Sequence, residues 1–305
     1  MRSTVLLCII FIIIISTVFY IVLFPMRIID KEKIIQHVLT FQNPDGGFSF
    51  KVNGNSSLTA TTFALGTMYT LNAQDKIDKD SVVNFVRQCK GLDGGYKDKP
   101  DGNTSLMATN DAIIILYLLG HESEINKSTI INFIGKYDTL YIKLAILHVM
   151  DDKKINKSDA INFIMNNYEG SHFKKDSEIL RSNEVMSTFH SLIFLHLFNS
   201  TDNIDKDKIH NYLRDKLSEN LFTTFYSIGS LKIIDEFRPE YRDEVMKFIF
   251  EKTKDGMFVD TSPMSSNDEI LEPDSINVQF VGSVIYINVD KPVESYMPWG
   301  YLFFS

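Results

Sequence analysis

Asp45-Gly46-Gly47-Phe48 decides the fold, because the chain repeats it as Asp93-Gly94-Gly95-Tyr96, 48 residues later. The agreement runs past the four residues. Ser57-Leu58-Thr59-Ala60-Thr61 returns at the same offset as Ser105-Leu106-Met107-Ala108-Thr109, and Ile34-Ile35 and Val38 return as Val82-Val83 and Val86. Ile130-Ile131-Asn132-Phe133-Ile134 falls one further period on, over Val82-Val83-Asn84-Phe85-Val86. A fixed period of this size marks a repeat architecture, in which each unit buries its apolar face only against its neighbours.

Each unit reads as helix, Gly-rich turn, loop, helix. In the first helix Ile34, Ile35, Val38 and Leu39 fall on one stripe at helical spacing. The Gly-Gly pair is expected to end that helix, since glycine reaches positive φ without a side-chain penalty. The aromatic that follows, Phe48 or Tyr96, is expected to plug the gap between units. The second helix is apolar nearly all round, as in Thr62-Phe63-Ala64-Leu65-Gly66 and Ala112-Ile113-Ile114-Ile115-Leu116-Tyr117-Leu118-Leu119. A helix without a polar face is buried on every side. The pattern therefore predicts two concentric layers, an amphipathic outer helix and a buried inner helix in each unit.

Ahead of the repeats, Val5 to Phe24 carry no charge. About 20 residues at roughly 1.5 Å rise span about 30 Å, the thickness of a bilayer core. Residues 1–25 therefore read as an uncleaved signal anchor, a single transmembrane helix, and residues 26–305 as one large domain. Two signals on the side of the membrane oppose each other. Arg2 precedes the segment while Arg27, Lys31 and Lys33 follow it, which favours a cytosolic domain. Sequons at Asn55, Asn103, Asn126, Asn156 and Asn199 suit a lumenal or extracellular one. The formal net charge is −8 with no basic tract, which argues against nucleic acid as a partner. Of the two cysteines Cys8 sits in the apolar segment, so Cys89 has no partner for an internal disulfide in the domain and reads as a small apolar residue.

The later units are more worn. Unit three, Ile130 to Met150, has lost its Gly-Gly loop. Unit four runs from Ile161-Asn162-Phe163-Ile164 through Tyr168-Glu169-Gly170-Ser171 to Glu184 and Phe198. Unit five begins near Ile209 and passes almost directly to Asn220-Leu221-Phe222-Thr223. Unit six holds Phe248-Ile249-Phe250, Asp255-Gly256-Met257-Phe258 and Ile276 to Asn288. Alternation alone would make Ile276–Val281 a strand; the repeat register makes it the sixth inner helix. The proline-rich tail, Pro292 to Trp299, is expected to cross the base of the domain.

Six helix pairs with this loop resemble the β subunits of protein prenyltransferases, most closely the Rab-type geranylgeranyltransferase β subunit, and through them the terpenoid cyclases. Gln42-Asn43-Pro44-Asp45-Gly46-Gly47-Phe48 is similar to the Gln-x-x-x-Gly-x-aromatic signature of those repeats. Gly94-Gly95-Tyr96-Lys97-Asp98-Lys99-Pro100 is similar to the family's Gly-Gly-aromatic-x-x-Arg-Pro loop, and Ser230-Leu231-Lys232-Ile233-Ile234 and Pro292-Val293…Met297-Pro298 look like family segments in the right order. The resemblance implies an all-α (α/α)6 toroid around a funnel-shaped cavity, here behind an N-terminal transmembrane helix. It also implies zinc, held by Asp-x-Cys at one inner-helix start and His at the last, where a metal-bound thiol loses its proton near neutral pH. The corresponding positions here are Asn220, Phe222 and Ile276, which cannot supply those ligands, so no cofactor is expected.

The acid of the protonating cyclases is expected on an inner helix, whereas Asp151-Asp152 and Asp205-Lys206-Asp207 read as loop charges. The thioester motif of another toroid family is absent. Polar groups expected near the cavity are Thr59, Thr61, Ser105, Thr109, Asn110, Asp111, Glu184, Thr188 and His190, since inner-helix N-termini point there in the family and their free N–H groups attract anions. Glu184 and His190 are six apart and so off a common face; His190 reads as a core histidine. His172, Lys174, Lys175 and Arg181 read as a solvated loop, with a phosphate site as the functional alternative. The leading expectation is a membrane-anchored, non-catalytic prenyltransferase-like toroid that binds an isoprenoid, another lipid or a partner protein. The alternatives are an active geranylgeranyl-type β subunit working with an α-subunit-like partner, and a scaffold whose funnel is filled by Phe189, Phe222 and Phe225.

Overall fold

The computed structural model describes residues 29–137, 141–150, 155–175, 183–260 and 274–292. The apolar segment 5–24, Asp151-Asp152, Arg181 and the tail from 293 lie outside the described residues. Among the described residues no helix is long and apolar enough to cross a membrane.

Among the described residues twelve α-helices alternate between two layers. The outer ones are α1 (Lys31–Leu39), α3 (Lys79–Gln88), α5 (Lys127–Ile134), α7 (Lys157–Asn166), α9 (Lys206–Arg214) and α11 (Pro239–Glu251). The inner ones are α2 (Leu58–Thr70), α4 (Leu106–Leu119), α6 (Tyr141–Val149), α8 (Glu184–Leu197), α10 (Leu221–Ile233) and α12 (Ile276–Asn288). The layers differ as the sequence predicts. On α3 only Val82, Val83, Phe85 and Val86 are buried, one stripe of an otherwise polar helix. On α2 every residue but Thr59 and Tyr69 is buried. Ile276–Val281 is helical, so burial on all sides overrides its alternating pattern.

The inner helices close a ring. Thr59 Oγ1 of α2 donates to Asp111 Oδ2 of α4 at 2.8 Å, and α4 packs on α6. Tyr141 of α6 reaches Ser191 of α8, oxygen to oxygen at 2.7 Å. Phe189 of α8 lies over Gly229 of α10, where a Cβ would come within 2.3 Å of its ring. The α10 helix packs on α12, and α12 returns to α2 through Phe280, which fills the space a Cβ on Gly66 would need. Outside this seam Asp30 N donates to Gly256 O at 2.9 Å, tying the start of unit one to the loop of unit six.

The loops are built differently from the expectation. The Gly-Gly pair does not end the outer helix: α1 stops at Leu39 under a right-handed Thr40, well before Gly46. Gly46 and Gly94 adopt φ of +91° and +95° and abut the first turn of the next outer helix, where a Cβ would lie 2.1 Å from the Ser81 carbonyl oxygen and 2.8 Å from that of Thr129. Gly47 and Gly95 similarly face the rings of Phe85 and Phe133. The pair is thus a seam between units. Two short antiparallel ladders follow, β1 (Tyr96–Lys97) with β2 (Thr104–Ser105) and β3 (Thr253–Lys254) with β4 (Met257–Phe258).

Candidate functional site

The inner helices all begin at one end of the ring, and their first turns carry most of the expected site residues. Several are occupied in holding the fold. Ser105 is the N-cap of α4, its hydroxyl accepting from Ala108 N at 3.1 Å. Thr109 accepts from the buried Tyr96 N at 2.9 Å and donates to Ser105 O. Thr188 does the same with Phe173 N at 3.0 Å and Glu184 O, and Thr61 with Phe48 N and Ser57 O. The repeated threonine is a tether. It satisfies the backbone N–H of the loop aromatic, which burial would otherwise leave unpaired. In unit five Thr224 accepts from Ser218 N instead, and in unit six Gln279 takes over, accepting from Phe258 N and donating to Phe258 O.

The remaining candidates fall into two places. Glu184 sits at the rim with its side chain 54 % exposed. It lies 3.8 Å from His172 Nε2, which is also 3.2 Å from Glu169. Tyr212 stacks on the His172 ring and donates to Glu184 at 3.4 Å. Burial, and then the Glu184 charge, raise the Tyr212 phenol above its ordinary range. Lys174 is 3.6 Å from Glu169. The loop residues His172 and Lys174 therefore face carboxylates, which weakens the phosphate reading. No motif spacing announced this His-Glu-Tyr group; it forms because the α9 surface meets the unit-four loop.

Asn110 and His190 are interior. His190 is buried between Phe189, ring centres 5.8 Å apart, and Tyr226, at 6.2 Å. Desolvation alone pushes its imidazole down to about 3, so it is neutral at physiological pH. Burial raises the Tyr226 phenol far above its ordinary range. Asp111, one position beyond Asn110, is the only acid buried on an inner helix among the described residues. Glu184 thus belongs to the rim and His190 to the interior, as their six-residue spacing requires.

The positions that correspond to the zinc ligands do not fit a metal. Asn220 is the N-cap of α10, its amide oxygen accepting from Thr223 N at 2.8 Å. Phe222 and Ile276 are buried hydrocarbon. The carboxylate beside them, Asp260, accepts from Leu221 N with one oxygen and pairs with Lys252 Nζ at 2.9 Å with the other. Asp98 caps α2 in the same way, accepting from Thr59 N. Both acids stand two residues after the loop aromatic, and each closes the preceding unit's inner helix. Among the described residues no three His, Cys, Asp or Glu side chains are placed to hold a metal ion. Cys89 is buried at the end of α3, its thiol pushed up to about 12 by burial. It is an inert core residue.

The sequence model of the prenyltransferase alpha-alpha toroid domain matches residues 3–141 and 139–220. The chain belongs to the prenyltransferase alpha-alpha toroid family. No curated protein matches it in sequence. Among solved structures it is similar to the type II terpene cyclase MstE from Scytonema in its apo form, at 10 % identity over 90 % of this chain and 98 % of that one, with a TM-score of 0.54. A variant of the same cyclase in complex with merosterolic acid A gives 0.55 at the same identity and coverage. Candida albicans protein geranylgeranyltransferase-I complexed with GGPP is 18 % identical over 83 % of this chain and 68 % of that one, with a TM-score of 0.34. At these identities the cyclase likeness is one of fold. The family match ends at Asn220, ahead of Phe222 and Ile276.

Proposed function

We propose that the domain is a prenyltransferase-like toroid that receives an apolar chain of the isoprenoid class without transferring it, on a polypeptide tethered to a membrane by residues 5–24. One observation carries the reading. The amide of Asn220 is committed to capping α10, and the two positions that would complete a zinc site are phenyl and butyl groups. The ligand class rests on the family fold; Phe189, Phe222 and Phe225, fully or almost fully buried along α8 and α10, would have to swing aside to admit the chain. A partner protein taking the place of an α subunit is compatible with this role. The test is incubation of the detergent-solubilised chain with labelled geranylgeranyl diphosphate, zinc and a peptide ending in cysteine. Saturable binding without labelled peptide is expected. Transfer of label would overturn the reading.

Asp111 favours a second reading, a catalytic toroid in which a buried acid meets an apolar substrate. Its carboxylate is on an inner helix, where it accepts a hydrogen bond from the Thr59 hydroxyl, unlike Asp205, which caps the outer helix α9. Conversion of the labelled isoprenoid to a new product, abolished by Asp111→Asn, would select it.

A further inference from the structure

We propose that the chain is N-glycosylated at Asn55 and Asn103, which places the toroid on the extracytoplasmic side of its membrane. All five sequon asparagines are exposed, whereas none of the buried asparagines Asn110, Asn220, Asn277 and Asn288 lies in a sequon. The five separate by position. Asn126 and Asn156 are N-caps of outer helices, accepting from Thr129 N and Asp159 N, and the Asn156 amide also donates to Asp159 at 2.6 Å. Asn199 follows the last turn of α8 with φ of +55°. Asn55 and Asn103 are equivalent positions of the repeat in the loops that lead into α2 and α4, and their side chains make no hydrogen bond among the described residues. A glycan on either Nδ2 displaces nothing.

The ring sorts these sites by end. Outer and inner helices run in opposite directions, so Asn55 and Asn103 lie where inner helices begin, and Asn126, Asn156 and Asn199 at the other end, where α1 also begins. The two glycans would flank the mouth and point away from the end at which the chain enters α1. The basic residues after the apolar segment, which favoured the opposite orientation, have a structural use. Lys33 Nζ donates to the Asp255 carbonyl at 2.7 Å across the closing seam, and Lys31 opens α1. The hydroxyl residues of the two sequons, Ser57 and Ser105, become inner-helix N-caps. Folding therefore closes both sequons, and the modification must precede it. In that step Asn Nδ2 bonds to the anomeric carbon of an oligosaccharide carried on a lipid diphosphate, the bond from that carbon to the diphosphate oxygen breaks, the lipid diphosphate leaves, and the amide proton passes to a base.

The proposal is independent of any ligand. Its test is expression of the full chain in a eukaryotic cell, treatment with peptide-N-glycosidase, and gel mobility. Wild type is expected to shift, Asn55→Gln and Asn103→Gln each to lose one glycan step, and the double variant to lose two while keeping the wild-type melting profile after deglycosylation. Glutamine is the choice because changing Ser57 or Ser105 would remove a helix cap. A wild-type chain whose mobility the enzyme leaves unchanged would overturn the proposal, and so would a double variant that retains both steps.

Discussion

Units one and two join their neighbours differently from unit four. In the first two, a left-handed glycine is pressed against the carbonyl of the next outer helix, Gly46 on Ser81 and Gly94 on Thr129. In unit four the turn is one residue shorter, closed by Glu169 N to His172 O where unit one has Asn43 N to Gly47 O, and a Cβ on its left-handed glycine, Gly170 at φ of +90°, would meet nothing within 4 Å. The contact to the next outer helix is made instead by a side chain, Asp205 N donating to the Tyr168 hydroxyl at 2.8 Å. The shortened turn no longer reaches the backbone of the next outer helix. A hydrogen bond at a looser seam replaces backbone contact at a tight one, so the same substitution should cost different amounts in the two places.

The largest effect is expected for Gly46→Ala. The new methyl would occupy the space of the Ser81 carbonyl, and alanine would be held in the left-handed region. Steric overlap and backbone strain together cost about 3–5 kcal/mol. Chemical denaturation should show that loss, with Gly94→Ala somewhat milder because its clash, at 2.8 Å, is less severe. Equal, small losses at both glycines would break the comparison.

Next is the acid limb of the stability curve, which probes the interior of unit four. His190 resists protonation in the fold until about pH 3, while the unfolded chain takes up that proton near the ordinary histidine value of about 6.5. The unfolded state therefore binds more protons across that window. Stability is whole above about pH 6.5 and falls as pH drops, by about 1.4 kcal/mol per unit. Between pH 6.5 and 5, ahead of most carboxylate titration, His190→Leu should flatten the slope by one proton relative to wild type. Parallel slopes would mean that the imidazole is protonated in the fold. In units one, two and five the equivalent positions are Phe63, Asp111 and Tyr226, so the buried imidazole belongs to unit four.

The tether is common to both regions and so serves as the control. Thr109→Val and Thr188→Val should each cost about 1–3 kcal/mol, by leaving the N–H of Tyr96 or Phe173 buried without an acceptor. The serine variants should recover most of it, since the acceptor oxygen remains. Similar losses at the two threonines, beside unequal losses at the two glycines, would show that the loop aromatic is held everywhere while the seam is tight only in the early units.

What the sequence made legible follows from what repetition preserves. The 48-residue spacing exposed the helix pairs, the two layers and α12, because apolar period and register survive divergence. The glycine's partner was hidden: Ser81 and Thr129 lie in the next unit, and no local signal says that a turn will press on a carbonyl some 35 residues later. The threonine tether was visible only as the recurrence of Thr61 and Thr109, which suits a ligand-facing polar group equally well. At the candidate site, the mismatch of Asn220, Phe222 and Ile276 could be read from residue types, but not the capping that occupies Asn220. The His172, Glu184 and Tyr212 group comes from three segments and has no one-dimensional trace.

The smallest effect is expected for Gly170→Ala. Here the methyl enters open space, so only the left-handed backbone penalty remains, about 1–2 kcal/mol. Gly170→Asn should recover part of that, because asparagine tolerates this conformation, as Asn53, Asn72 and Asn199 do elsewhere in the chain. The decisive quantity is the difference between Gly46→Ala and Gly170→Ala measured by the same denaturant titration. If both cost only the backbone term, the seam of units one and two yields to a methyl, and the loop's shape rather than its packing is what the repeat has kept. If Gly170→Ala costs as much as Gly46→Ala, the unit-four loop is pinned by more than the Tyr168 hydroxyl, and its apparent looseness is not mechanical.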